Sequence, residues 1–312
     1  MNVDIFWRLV GQLLPLYALI AAGFVMGRYG GVQRESVANL LIYLVAPLVF
    51  FESIATTAVD RSNVVLLFIT FALATALSLA FLKLSGFWIR DSRKNLIAFI
   101  SGTGNTGYFG IPLFIMFFSE KNLGVYMLAV FGLVVWESLV GYYLIARGVH
   151  SVRESVYRLI RLPLFYAALL GLIFSWGHAA IHPSIREMAA HFRSIYIVLG
   201  MMMIGLGLAT MKQIEIDWLF IGWTFFARFI ATPIAVCALI ALDLAWLHIL
   251  SATAYKSLFV FAIVPIAANS VLYAAQMRLH PEKAATAVLF STLFCLIYIP
   301  IVYSLFETID VF

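Results

Sequence analysis

Ten apolar stretches, each long enough to cross the hydrocarbon of a bilayer, follow one another along this chain with little between them. Crossing that layer as a helix takes about 20 apolar residues. The stretches run at about 6–27, 36–57, 63–83, 95–118 and 123–146, then at about 163–181, 192–211, 217–240, 252–277 and 285–306. Backbone N–H and C=O groups in lipid must be bonded within the chain, so spans of this length are expected to be helices. Composition agrees: the sequence is 64% hydrophobic and 11% charged, with a mean hydropathy of +1.02, whereas a soluble domain carries roughly 25% charged residues. The expected fold class is an all-α integral membrane protein of ten transmembrane helices, with no soluble alternative.

Most connections are short. The longest polar one, 147–162, contains the basic amphipathic segment Ser151 to Arg161. It reads as a cytoplasmic helix lying on the membrane surface, between a first five-helix unit over 1–146 and a second over 163–312. The placement of Lys and Arg sets the expected orientation, because cytoplasmic loops retain them. One side of the ten-span plan holds Arg28, Arg34, Lys83, Arg90, Arg93, Lys94, Arg147, Arg153, Arg158, Arg161, Lys212, Arg278 and Lys283; the other holds Arg8, Arg61, Lys121, Arg186, Arg193 and Lys256. The richer side is expected to face the cytoplasm, which puts both termini outside the cell membrane. The start of the chain, with Asp4 ahead of its apolar run, lacks the basic leader and small-residue cleavage site of a signal peptide, so the first helix is expected to be retained. The net charge of +5 is spread between apolar runs; lipid headgroups, not nucleic acid, are the expected partners. Cys237 and Cys295 both lie in apolar runs and make no disulfide framework.

The two halves echo one another. Ile42-Tyr-Leu-Val-Ala-Pro-Leu48 aligns with Ile195-Tyr-Ile-Val-Leu-Gly-Met201 at an offset of 153. Ala74-Thr75 is echoed by Ala231-Thr232, and Pro112 by Pro265, again 153 apart. Each match is weak alone; in order and at nearly one offset they suggest a repeat. With five helices per copy the two copies have opposite orientation, an inverted repeat of the kind many secondary transporters use.

Span 4 departs from a regular helix. Gly102, Gly104, Gly107, Gly110 and Pro112 crowd its middle, interleaved with Ser101, Thr103, Asn105 and Thr106. Gly and Pro weaken a helix, and Pro lacks a backbone donor. The backbone groups this frees are best tolerated where they line a polar cavity. A close-packing face of small residues would explain the glycines but not Asn105, Thr106 and Pro112 together. Span 9 has the matching feature in Ile263-Val-Pro-Ile-Ala-Ala-Asn-Ser-Val271, where Pro265 is followed by Asn269 and Ser270. Paired interruptions in two halves point to a transport site, and half-helix N-termini converging there would favour an anion.

Asn105-Thr-Gly-Tyr-Phe-Gly-Ile-Pro112 resembles the Asn-Thr-x-x-x-Gly-Ile-Pro stretch of the auxin efflux carrier family, which includes plant PIN proteins and bacterial relatives. The ten-span plan and the Ile-Val-Pro of span 9 are similar too, so the resemblance covers essentially the whole chain. It implies two five-helix inverted repeats. Spans 1, 2, 6 and 7 would form a scaffold, and spans 3–5 and 8–10 a transport core in which broken helices 4 and 9 cross at their prolines. It also implies a small organic anion as substrate, such as an auxin-like acid or a dicarboxylate, and a homodimer. Asn105, Pro112 and Pro265 carry over by motif; Thr106, Asn269 and Ser270 join them on depth. The short central loop suggests a compact, bacterial-type member.

Ionisable residues inside spans are functional candidates. Arg228 lies near mid-depth in span 8, where it could meet a substrate carboxylate or pair with Glu137 of span 5; Glu137 could instead be a protonation site. Lys256 is expected to snorkel, and Glu52, His191 and Arg193 to sit at an interface. Gly200, Gly205 and Gly207 are expected to serve scaffold packing. Spans 4 and 9 carry no Asp or Glu near their breaks, which weighs against a cation/proton antiporter. It weighs less against a sodium-coupled symporter, since neutral oxygens hold sodium. H+ or Na+ is the possible coupling ion. No His-Glu-x-x-His, Gly-x-Ser-x-Gly or phosphate-binding loop occurs, so neither an enzyme nor an ATP-driven pump is expected, nor any metal or cofactor.

Overall fold

The computed structural model describes residues 3–145, 152–211 and 213–306. Arg147, Lys212 and the extreme termini, all used in the orientation argument, lie outside the described residues. Within them the chain is helical throughout. Helix α1 is Val3–Arg28, α2 is Arg34–Thr56 and α3 is Arg61–Gly86. Span 4 becomes α4, Arg93–Gly102, and α5, Gly110–Phe118. Then come α6, Glu120–Ile145, α7, Val152–Arg161, α8, Pro163–Trp176, α9, Pro183–Ala209, and α10, Trp218–Leu247. Span 9 becomes α11, Ala252–Ile263, and α12, Asn269–Gln276; α13 is Pro281–Phe306.

Seven of these helices are long and apolar enough to cross a membrane: α1, α2, α3, α6, α9, α10 and α13. The other three expected spans fall short of that length for two different reasons. Spans 4 and 9 are cut in two, over residues 103–109 and 264–268, as their glycines and prolines predict. The helix expected over 163–181 stops at Trp176, and at 1.5 Å per residue it is shorter than the hydrocarbon is thick. The amphipathic segment is helical over Val152–Arg161. Four π turns punctuate the long helices, at Leu41–Val45 in α2, Glu137–Gly141 in α6, and Ala227–Ala231 and Asp243–Leu247 in α10.

The helices pack in two groups. In one, α1 lies against α9, and α8 against α2. In the other, α3 packs on both α4 and α6, α11 on α5 and α6, and α12 on α4 and α13. Small residues set the closest approaches. A Cβ on Gly205 of α9 would stand 1.9 Å from the Ile20 carbonyl oxygen of α1, and one on Gly23 would stand 2.2 Å from that of Met202. These are backbone atoms that no side-chain rotation can move away. Gly205 therefore serves packing, as expected. Between α6 and the end of α2, Gly124 plays the same part, its Cβ position 2.2 Å from the Ser53 carbonyl oxygen. The outward faces carry large apolar side chains, including Phe68, Leu79, Ile173 and Ile234, a surface suited to lipid and unsuited to water.

Ionic contacts concentrate at the ends of the helices. Asp217, just before α10, accepts from Arg93 at 2.7 Å and from Lys283 at 2.8 Å, and so joins the starts of α4, α10 and α13. Arg193 of α9 donates to Glu52 of α2 at 2.5 Å and to Glu120, the first residue of α6, at 2.7 Å. That pair ties the two helix groups together at the end of α2 remote from Arg34.

Gly205→Ala is expected to destabilise the α1–α9 contact by about 1–3 kcal/mol, the usual cost of overpacking. The melting temperature of the detergent-solubilised protein should fall. Gly222→Ala, whose added Cβ meets nothing within 4 Å, is the control and should leave it unchanged.

Candidate functional site

The two breaks meet. Gly102 ends α4, Thr103 is extended, and the next peptide group, Asn105 N–H, donates to the carbonyl of Pro265 at 2.9 Å. The first break then closes on itself. Asn105 C=O accepts from Gly110 N–H at 2.9 Å and from Phe109 N–H at 3.3 Å, and Gly104 C=O accepts from Thr106 N–H at 2.7 Å. The Tyr126 hydroxyl of α6 donates to Thr106 C=O at 2.8 Å. Pro112 is not at the meeting point. It occupies the first turn of α5, where a missing N–H costs least, so of the two prolines it is Pro265 that makes the contact. The crossing therefore involves one proline and one asparagine, because the glycines had already ended α4 several residues before Pro112.

The second break leaves carbonyls without their helical donors. Phe261 C=O would accept from the N–H of residue 265, which a proline lacks; the Nη2 of Arg228 donates to it instead. Arg228 Nε donates to Val264 C=O at 2.7 Å. Ser291 Oγ of α13 accepts from Ile266 N–H at 3.2 Å, and Arg34 Nη2, at the start of α2, donates to Ala268 C=O at 3.3 Å. Arg228 is 1% exposed and forms no salt bridge among the described residues. Its guanidinium lies so close behind the first break that a Cβ on Gly104 would stand 2.7 Å from Nη1. The structure thus corrects both expectations for Arg228: it does not line the cavity described next, and it does not pair with Glu137. Its donors go to backbone carbonyls that Pro265 and the end of α11 release.

In front of the junction lies a cavity of about 170 Å³. Asn105 and Thr106 from the first break, Asn269 from the start of α12, and Glu137 and Ser138 from α6 contribute its polar groups. Tyr108, Tyr196, Tyr273, Ile42, Phe50 and Val130 are among the residues that close it. Of the expected site residues, Asn105, Thr106, Asn269 and Glu137 come together here. Pro112, Pro265, Ser270 and Arg228 do not line it: the first three shape or flank the breaks, and the fourth braces them. Asn105 is 4% exposed, and its Nδ2 has no hydrogen-bond partner among the described residues. Ser270 Oγ is likewise buried and unpartnered, away from the cavity wall.

Glu137 opens the π turn of α6. Thr103 Oγ1 donates to its carboxyl, and Asn269 lines the same cavity, so one carboxyl stands beside both breaks. Spans 4 and 9 themselves carry no Asp or Glu near their breaks, and the carboxyl at their junction comes from α6. A wider recess of about 440 Å³ shares Ile42, Tyr108, Ser138, Leu162, Asn269 and Tyr273 with the cavity and extends to Arg34 and Arg161. Arg34, Tyr108, Tyr196 and Tyr273 were not singled out from the sequence. Two of them lay in stretches the sequence marked, Tyr196 in the Ile195-Tyr196 echo of Ile42-Tyr43 and Tyr108 inside Asn105 to Pro112.

Apolar helices enclosing a buried polar cavity at two helix breaks define a multi-pass helical membrane protein built around an internal site. Residues 8–156, from α1 into α7, match the family model described as Membrane transport protein. That model is the one of the auxin efflux carrier, PIN-like, family, whose members are membrane transporters and not enzymes. No curated protein matches the chain.

Arg228→Leu would leave the Phe261 and Val264 carbonyls buried without donors, at about 1–3 kcal/mol each. The melting temperature in detergent, with no substrate present, is expected to fall sharply. An Arg228→Leu protein as stable as the parent would show that these carbonyls do not need the guanidinium.

Proposed function

We propose that the protein is a secondary transporter that moves a small organic anion, a carboxylate such as an auxin-like acid or a dicarboxylate, by alternating access. The observation that carries this reading is the cavity at the junction of the two breaks, with the unpaired amide of Asn105 in its wall. A buried donor with no partner costs free energy, and a carboxylate oxygen would satisfy it. Asn269 faces the same space, and the recess beyond it carries the cations of Arg34 and Arg161, which would draw anions toward it.

In this proposal α4–α5, α8 and α11–α12 complete ten membrane segments, arranged as inverted repeats over 1–146 and 163–312 with the linker 147–162 on the cytoplasmic side. The packing supports it. If segment 1 corresponds to 6 and segment 2 to 7, the contact of α1 with α9 is the counterpart of that of α8 with α2. The scaffold would be α1, α2, α8 and α9, and the remainder the moving core. Arg193 links scaffold to core through Glu120 at the end away from the Arg34 recess. In the described arrangement the site is then open toward the basic, cytoplasmic side of the cell membrane and closed on the other, and transport would break that pair. The resemblance to the auxin efflux carriers supports assembly as a homodimer through the scaffold.

Purified protein in liposomes is expected to take up at least one labelled member of a panel of mono- and dicarboxylates. No transport of any of them by folded protein would end this reading. Asn105→Ala should reduce transport by roughly 10–100-fold, the equivalent of losing one charge-assisted hydrogen bond of about 1.5–3 kcal/mol. The melting temperature without substrate should hardly move, because the Asn105 amide nitrogen has no protein partner to lose.

A further inference from the structure

We infer that Glu137 carries a coupling proton: an anion occupies the cavity together with one proton on the Glu137 carboxyl, and the two are carried and released together. This rests on the anion-transport reading above and adds to it the ion that drives transport. Glu137 is 7% exposed and faces the cavity. It stands beside neutral groups, Thr103 of the first break and Asn269 of the second, and no cation lies within ion-pair distance among the described residues. Two guanidinium groups that brace the breaks are engaged elsewhere, Arg228 on Phe261 and Val264 and Arg34 on Ala268.

The other ionisable groups on elements packed against the Glu137 turn include those of α7, which are Arg153, Glu154, Tyr157, Arg158 and Arg161, with Arg161 donating to Tyr157. Helix α3 has none from Ser62 to Leu82. Within α6 they are Glu120 and Lys121 at its start, Tyr126, bonded to Thr106 C=O, Tyr142 and Tyr143. Around the cavity they are Tyr108, Tyr196 and Tyr273, and at its mouth Arg34, Glu35, Tyr43 and Arg161. Among the described residues none of these forms an ion pair with the Glu137 carboxyl.

A carboxylate substrate in a cavity of about 170 Å³ would sit within a few ångströms of that carboxyl. Two like charges so close, partly shielded from water, weaken binding by roughly 100-fold or more. A proton on Glu137 removes the repulsion and turns an acceptor into an O–H donor toward the substrate. By linkage, the bound anion favours the proton by the same factor. The proton enters from the aqueous side the cavity faces and leaves to the opposite side when the anion departs. With one proton per monoanion no net charge crosses; with a dianion one negative charge does.

The test uses proteoliposomes and whichever of labelled malate or indole-3-acetate the protein transports, with a pH-sensitive dye in weakly buffered medium. Wild-type uptake is expected to alkalinise the outside, and an acid-outside gradient alone should drive accumulation above equilibrium. Glu137→Gln, which keeps the shape without the proton, should lose both the dye signal and gradient-driven accumulation, and its exchange of internal for external label should no longer vary with pH. Wild-type transport with no proton movement, proton movement opposite to the anion, or accumulation by Glu137→Gln under a pH gradient would each overturn the inference while leaving anion transport intact. The wild-type dye measurement does so even if the variant fails to fold. Absence of transport across the whole carboxylate panel is a separate result that removes the anion reading itself.

Discussion

A peptide group in lipid has nowhere to bond but the protein, and the arrangement of this molecule follows from how two interrupted helices meet that demand. The first break gives its Asn105 N–H to the second, which receives it on Pro265 C=O. The carbonyl that Pro265 leaves without a donor is taken up by Arg228. Ser291, Tyr126 and Arg34 complete the set from three other helices. The irregular backbone is thus held by helices on every side, and it needs all of them. This is why irregular backbone can persist among apolar helices: it costs several kcal/mol per unbonded group in hydrocarbon and little when each group is matched.

That accounting separates two uses of polarity. Arg228 is the bulkiest fully buried charged side chain among the described residues, and its bonds go to the backbone of the second break, so its charge is part of the support for the breaks. Asn105 is the reverse case: its backbone N–H is committed to Pro265 while its side-chain amide faces a cavity with no partner among the described residues. Glu137 stands between these cases, bonded to Thr103 and beside Asn269 yet still facing the cavity. The donors that brace the breaks are committed to backbone carbonyls, whereas Asn105 and Glu137 face the cavity with capacity for a ligand. Close backbone contacts at Gly23, Gly205 and Gly124 hold the helices around the site at short range, where side chains would have kept them apart.

How much of this was legible beforehand depends on how local each feature is. The breaks were, because Gly102 to Gly110 and Pro265 interrupt a helix through their own φ/ψ limits and missing donors. Asn105 and Asn269 were too, because they lie at the breaks. The meeting of Glu137 with those breaks was not, because α6 is a separate helix and its rotation is decided by Gly124 against α2 and by its packing on α3. Arg34 read as one basic loop residue among many; its reach to Ala268 exists only once α2 is laid against α12.

The sequence alone therefore determined the solvent, the helical class and the two places where helices fail. Hydrocarbon tolerates only internally bonded backbone, and glycine and proline act on the residues that carry them. Tertiary structure alone decided which proline touches the opposite break, that Arg228 braces carbonyls instead of facing the cavity, and that a carboxyl from a third helix stands at the junction. Those outcomes depend on the relative rotation and depth of helices far apart in the chain, which are set by close packing between backbones and by hydrogen-bond matching across them, and no local pattern of residues encodes them.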